Sequence, residues 1–218
     1  MALRIAVLIS GAGSNLGAIA QAIAAGSCDA EIAAVISDRA SAQGLAFAAE
    51  RGIPCAVVSM KDHPDRAAWD RALAAEVAEH TPQLVVLAGF MRLIGAAMLE
   101  RFPRRVINVH PALLPLFPGT TGPEQAIASG MRVSGCTVHI VDAGVDTGPI
   151  VAQAAVRVLP NDTPAALHER IQRAEHKIFP RVIDAIARGR ITLDPEVRVH
   201  DALDDASALL SPSWGEDA

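Results

Sequence analysis

Cysteine is scarce in this chain of 218 residues, and the three present lie far apart. Cys28, Cys55 and Cys136 make no CxxC pair and no zinc-type spacing. A disulfide framework and a structural zinc site are therefore excluded as organising elements, and a reduced, cytoplasmic protein with free thiols is expected. Long apolar runs are missing too. The run near the N-terminus, Ile5 to Ile9, stops at Ser10-Gly11, too short for a signal core or a bilayer span, and no longer one follows. No membrane partner is expected. Positive charge is not in excess: 19 Lys and Arg against 24 Asp and Glu leave a formal net charge of −5. That argues against a broad nucleic-acid footprint, so nucleic acid is not an expected partner. There is no internal repeat, and no serine or cysteine motif of the nucleophilic kind.

What remains is globular composition, 51% hydrophobic and 20% charged, at a length that fits one α/β domain. Short apolar runs alternate with Ala-rich amphipathic stretches. Strands are expected at Leu3–Ile9, Ala30–Ile36, Ala56–Val58, Leu84–Ala88 and Val106–Val109. Helices are expected at Asn15–Ala25, Ser41–Arg51, Asp65–His80 and near Gly95–Arg101. This alternation predicts a mostly parallel, Rossmann-like twisted sheet with helices on both faces, in which ligands gather beyond the carboxyl ends of the strands. The later part is less regular: a proline-rich loop from Pro111, a short helix at Glu124–Ser129, and strands Val133–Val141 and Ile150–Val158. A last helix is capped by Thr163, carries an apolar stripe from Leu167 to Ile186, is kinked or interrupted by Pro180, and ends at Gly189. Residues 1–193 form the expected domain, and 194–218 a loosely attached acidic tail.

Three polar residues stand out against this background. Asn108 and His110 lie two apart on an expected strand and so share a face. An amide and an imidazole on a buried strand are costly unless they have work to do. Asp146 supplies a partner whose charge is expected to raise the imidazole pKa. Amide donor, titratable ring and carboxylate together suit the stabilisation and protonation of an oxyanion. The plainer reading is a hydrogen-bonded core histidine and an aspartate that begins a turn at Thr147-Gly148-Pro149. Ser10-Gly-Ala-Gly-Ser-Asn15 lies between a strand and a helix, as a phosphate loop does. A dinucleotide fold is the rival, with Asp38 after the second strand, but Leu16 stands where its third glycine belongs; a purely structural turn is the other alternative.

The stretches Leu87-Ala-Gly-Phe-Met-Arg92, Asn108-Val-His-Pro-Ala-Leu-Leu-Pro115, Phe117-Pro-Gly119, Gly135-Cys-Thr-Val-His139 and Asp146-Thr-Gly-Pro149 resemble the folate-dependent formyltransferases, from about Arg4 to about Arg190. Ile9-Ser-Gly-Ala-Gly-Ser-Asn-Leu16 and Gln172-Arg-Ala-Glu175-His176 are similar to the branch whose acceptor is glycinamide ribonucleotide. The resemblance implies the formyltransferase fold and direct formyl transfer from 10-formyltetrahydrofolate, with no metal. It implies that Asn108, His110 and Asp146 are catalytic, and that Gly13, Ser14, Asn15, Gln172 and Glu175 hold the ribonucleotide. The folate would meet Arg66, Met91, Arg92, Leu93, Ile94, Asn108, Val141, Asp142 and Asp146, with backbone groups of Arg92 and Ile94 on the pterin and Arg66 on the acidic tail. The expected assembly is a monomer or homodimer. Thr121 departs from the family, which usually carries a histidine there that supports the aspartate. A formyltetrahydrofolate hydrolase, a methionyl-tRNA formyltransferase, a dinucleotide oxidoreductase and a non-catalytic binding module are the alternatives. The tRNA enzyme would need an added C-terminal RNA-binding domain, and the hydrolase has no use for a phosphate loop.

Overall fold

The structure, a computed structural model, describes residues 2–200 and the backbone of residues 210–211. The chain divides into two compact units, Met1–Asn108 and Val109–Ala218, and the division falls inside a strand.

The first unit is built on parallel strands. These are β1 (Leu3–Ile9), β2 (Ala30–Ser37), β3 (Cys55–Val57), β4 (Leu84–Leu87) and β5 (Val106–His110). They lie in the order β3-β2-β1-β4-β5. β1 from Ile5 onward and all of β4 are buried, which is why both read as unbroken apolar runs rather than alternating ones. The order runs outward in both directions from β1 and β4. The next strand after β1 is added on one side and β4 on the other, so the loops after β1 and β4 diverge and leave a crevice at their carboxyl ends. The connecting helices are α1 (Ser14–Ala24), α2 (Gln43–Ala49), α3 (Arg66–Glu79) and α4 (Ala96–Arg101). Asp65 caps α3, accepting from the Ala68 N–H at 2.7 Å.

The second unit carries α5 (Gly122–Ala128), β6 (Val133–Ile140), β7 (Ile150–Arg157) and the long helix α6 (Pro164–Ala187). β6 and β7 pair antiparallel, with an irregularity between Val138 and His139. The short β10 (Leu210–Ser211) adds antiparallel to β7. These elements match the expected strands and helices to within a residue or two at most ends, and the chain has the expected mostly parallel α/β architecture.

α6 begins as expected: Thr163 Oγ1 accepts from the Ala166 N–H at 3.2 Å and Pro164 occupies the first turn, where its missing N–H costs nothing. The expected interruption at Pro180 does not occur. The helix continues to Ala187, because Ile178, Phe179, Pro180, Val182 and Ile183 are all buried and their packing offsets the one lost backbone bond. Gly189 follows in a left-handed conformation, φ 70°, as expected of a helix stop.

The expected tail begins at Asp194, and its first residues take part in backbone pairing. β8 (Ile191–Thr192) and β9 (Arg198–Val199) pair antiparallel, and the His200 N–H donates to the Arg190 carbonyl at 2.7 Å. The rest of the expected tail, apart from β10, lies outside the described residues. Replacing Thr163 with Ala removes the α6 cap and should lower stability by about 1 kcal/mol. Urea unfolding followed by circular dichroism should show a lower midpoint at unchanged slope.

Candidate functional site

In the first unit the loops after β1 and β4 are tied directly to each other. The Ser10 N–H donates to the Gly89 carbonyl at 3.1 Å, and Ser10 Oγ accepts from the Met91 N–H at 2.8 Å. Gly13 is the N-cap of α1 at φ 74°, ψ 32°, a left-handed conformation that favours glycine. A Cβ on Gly13 would also lie 2.9 Å from Gly44 Cα at the start of α2. No side chain caps α1 and no acidic residue sits in its first turn. Its first backbone N–H groups thus carry the positive end of the helix dipole with no acid in their own turn, an arrangement that favours an anion. Ser14 opens the helix and Asn15 is buried beside it.

Asp38, the acid of the rival dinucleotide reading, has a fully buried side chain. It is paired with Arg92 at 2.8 Å and more loosely with Arg39 at 3.5 Å. Burial pushes its pKa up, but the Ser10 hydroxyl, the Arg92 guanidinium and the Arg39 charge outweigh that and hold it below the ordinary value. A carboxylate committed in this way is a poor ribose ligand, and the pairing anchors Arg92 instead. Beside Arg92, Met91 and Leu93 are 63% and 58% exposed, whereas Phe90 and Ile94 are buried. Arg66 is exposed on α3; its guanidinium donates to the Leu93 carbonyl and lies 5.0 Å from the Trp69 ring centroid.

Asn108 is half-buried on β5, next to Leu87 of β4 in the ladder. Alternation along the strand gives it the same face as His110.

In the second unit the structure brings His110 and Asp146 together. His110 Nδ1 lies 3.3 Å from Asp146 Oδ2, and its Nε2 lies 2.9 Å from the Phe117 carbonyl oxygen. Both ring nitrogens face acceptors, so either neutral tautomer satisfies one and leaves the other opposed by a lone pair. Protonation would satisfy both. Burial works against the charge. It pulls the pKa of His110 below its ordinary value, outweighing the upward pull of the Phe117 carbonyl and of Asp146, and the His139 charge adds to the lowering. The expected effect of Asp146 is present in sign, but the expected net rise is not: desolvation exceeds it.

Asp146 is held from several sides. Its Oδ2 accepts the Gly119 N–H at 2.8 Å, and its Oδ1 lies 3.5 Å from His139 Nε2. His139 is fully enclosed on β6, with Nδ1 3.0 Å from the Ile140 carbonyl oxygen. Burial raises the pKa of Asp146, but the His139 and Gly119 hydrogen bonds and the charges of both histidines bring it below the ordinary value. Asp146 takes a left-handed backbone, φ 54°, which an L residue other than glycine adopts at some cost. Asp142 steadies that loop: its Oδ1 accepts from the Gly144 N–H at 3.0 Å and the Thr147 hydroxyl at 2.7 Å. The loop that brings Phe117 and Gly119 into place is pinned by Thr137, whose Oγ1 donates to the Ala112 carbonyl at 2.7 Å and accepts from the Leu114 N–H at 3.0 Å.

Thr121 takes no part in holding Asp146. Its Oγ1 accepts from Gln125 Nε2 at 2.9 Å, along α5. His139, which the sequence reading quoted but gave no role, sits on the aspartate. The signal was available: it is a second imidazole on a buried strand, one short loop before Asp146. On α6, Gln172 is half-buried, and Glu175 is buried close enough to Cys136 of β6 to help burial raise that thiol's pKa. Glu175 is therefore not part of a solvated helix face. Val141 is half-buried at the end of β6. Among the described residues no group of three or more His, Cys, Asp and Glu is arranged to hold a metal ion, and no helix is long and apolar enough to cross a membrane.

The first unit carries a parallel α/β crevice beside a helix N-terminus, and the second a buried histidine–aspartate cluster; each is a feature that enzymes of group transfer use. Residues 3–183 match the formyl transferase family, and the chain belongs to it. It is 47% identical over 190 residues to the phosphoribosylglycinamide formyltransferase of Mycobacterium tuberculosis strain H37Rv, an alignment that takes in 87% of each chain. Its structure resembles glycinamide ribonucleotide transformylase 1 from Symbiobacterium toebii with a TM-score of 0.88, at 46% identity over 92% of this chain and 95% of that one. It also resembles a formyltetrahydrofolate deformylase from Pseudomonas syringae pv. tomato, TM-score 0.85, at 25% identity over 92% of this chain and 67% of that one.

The depressed pKa of His110 has a measurable consequence. Its folded value lies below the unfolded one, so the unfolded chain binds the proton first, and this histidine's contribution to stability is lost as pH falls below about 6.5. In an NMR titration the His110 ring should titrate below 6.5, and Asp146→Asn, which removes the attractive charge, should move the midpoint lower still. A rise in the variant would contradict the geometry.

Proposed function

We propose that the chain transfers the formyl group of 10-formyltetrahydrofolate to the amine of glycinamide ribonucleotide, a step of purine biosynthesis in the cytoplasm. Its partners are these two small molecules. The observation that carries the reading is the His110–Asp146 pair, with His139 behind it, in a chain 47% identical to a formyltransferase of that name.

The ribonucleotide amine attacks the formyl carbon. A carbon–nitrogen bond forms, and the carbonyl electrons move onto oxygen. The Asn108 amide donates to that oxygen, an interaction of the kind worth about 10²–10³ in rate. The proton that the attacking nitrogen sheds passes through water to His110. The ring nitrogens stand against Asp146 and the Phe117 carbonyl, so the imidazolium is satisfied on both sides and stabilises the oxyanion by its charge. The tetrahedral species then collapses, the bond to the folate N10 breaks, and that nitrogen leaves with the proton that His110 relays. Positioned proton transfer of this kind contributes about 10²–10⁴. Asp146 orients the ring and balances its charge. No acyl-enzyme is required, because the formyl carbon is already activated by its folate nitrogen.

Gly13, Ser14 and Asn15 hold the ribonucleotide phosphate on the amides of α1, and Gln172 and Glu175 meet the glycinamide end. The backbone of Arg92 and Ile94 meets the pterin edge. Met91 and Leu93, exposed as they stand, supply the apolar cover that a flat ligand needs. Val141 and Asp142 belong to the segment on the other pterin edge. Arg66 meets the acidic tail with the guanidinium N–H groups that the Leu93 carbonyl does not occupy.

Tetrahydrofolate release from 10-formyltetrahydrofolate, followed with and without glycinamide ribonucleotide, tests the reading. Release that depends on the ribonucleotide is expected, and release without it would select the hydrolase instead. His110→Ala should reduce turnover by about 10³-fold or more, with ribonucleotide binding retained by calorimetry. Undiminished turnover would remove His110 from proton transfer.

A further inference from the structure

The segment between β4 and α4 carries the proposed pterin contacts, yet two of its side chains, Met91 and Leu93, are exposed and cannot fix its path by burial. Beyond the bonds of Ser10 to Met91 and of Asp38 to Arg92, what fixes it comes from α3. Arg66, Trp69 and Asp70 are three and four residues apart and so lie on one face of that helix. Trp69, fully buried, stacks on Phe90 with ring centroids 6.4 Å apart and donates its indole N–H to the Val58 carbonyl at 2.8 Å. Arg66 donates to the Leu93 carbonyl. Asp70, 6% exposed, uses both carboxylate oxygens: Oδ1 accepts the Gly95 N–H at 2.9 Å and Oδ2 accepts the Ala97 N–H at 2.9 Å.

Gly95 is the N-cap of α4 and offers no side chain of its own for that role. Asp70 takes it from a different helix. A side chain on Gly95 would overlap the Asp70 carboxyl group, so the close approach itself requires glycine there. A buried carboxylate is tolerable only while such bonds satisfy it. The segment is thus tied to the helix at Phe90, at Leu93 and at both Gly95 and Ala97, and the Arg92–Ile94 backbone is strung between those ties.

We infer that Asp70 is a positioning residue for the folate co-substrate. It sets where the Arg92 and Ile94 backbone groups stand without touching the ligand. The inference rests on the proposed assignment of those groups to the pterin. A long-range effect of the Asp70 charge would act on both substrates, whereas a positional effect acts on the folate alone.

The test is steady-state kinetics on Asp70→Ala and Asp70→Asn, together with hydrogen exchange on both. Asp70→Ala should raise the KM for 10-formyltetrahydrofolate about tenfold. The KM for glycinamide ribonucleotide should stay within about twofold, and kcat at saturating folate should largely recover. Asp70→Asn keeps one acceptor oxygen and should fall between wild type and Ala. Amides of Gly95 and Ala97 should exchange faster, with those of Gly13 to Asn15 unchanged. Both KM values rising together, or a folate KM equal to wild type, would overturn the inference while leaving the transformylase reading intact. Absence of ribonucleotide-dependent release in the wild-type protein would overturn that reading and this inference with it.

Discussion

The reversal of strand order between β1 and β4 is the constraint on which the first unit depends. Only there do two adjacent parallel strands send their continuing chains in opposite directions, so only there are backbone amides left facing a crevice. Two short bonds through Ser10 keep its lips together, one to Gly89 and one from Met91. Each is an ordinary hydrogen bond, of net value about 1 kcal/mol. Their effect is geometric: they register the glycine loop against the segment after β4, and the polar groups proposed for the two substrates inherit that register.

Three carboxylates do comparable work elsewhere. Asp38 holds Arg92, Asp70 holds Gly95 and Ala97, and Asp146 accepts from Gly119 and faces two imidazoles. Removing a carboxylate from water is expensive, and a stability argument alone does not favour it over a packed apolar group. In each case the carboxylate reaches a loop group or a helix end, where regular backbone bonding runs out. Fixed dipoles and charges that need not reorganise during reaction are what electrostatic catalysis requires. The left-handed Asp146 belongs to the same pattern: a locally unfavourable backbone is kept because the surrounding bonds over-determine it.

Much of this was legible in the sequence, for reasons that differ by element. β1 and β4 are apolar because both faces are covered, and the helix caps at Asp65 and Thr163 are local chemistry that a reader sees within four residues. His110 stands out because a titratable residue on an apolar strand is anomalous, and Asp146 because it offers that ring a charged partner. Pro180 was misjudged because its local cost is visible in the text and the compensating burial around it is not. Asp70 was not noticed at all: on an ordinary-looking helix, an aspartate that bonds to backbone 25 residues away leaves no periodic trace. His139 was passed over for a different reason. The family's usual histidine at position 121 drew the question of what supports the aspartate to a loop, whereas here a strand residue stands on it and Thr121 is turned to Gln125.

The contact between Gly13 and Gly44 couples two parts of the chain that sequence distance separates. A methyl group on Gly44 would lie 2.5 Å from Ile9 Cδ1 and 3.3 Å from Gly13 Cα. The starts of α1 and α2 are thus separated by less than the thickness of a side chain. Residues 9, 13 and 44 consequently form one heritable block: drift at any of them is blocked until another has made room. A position on α2 with no proposed ligand contact thereby limits which residues the turn before α1 can carry.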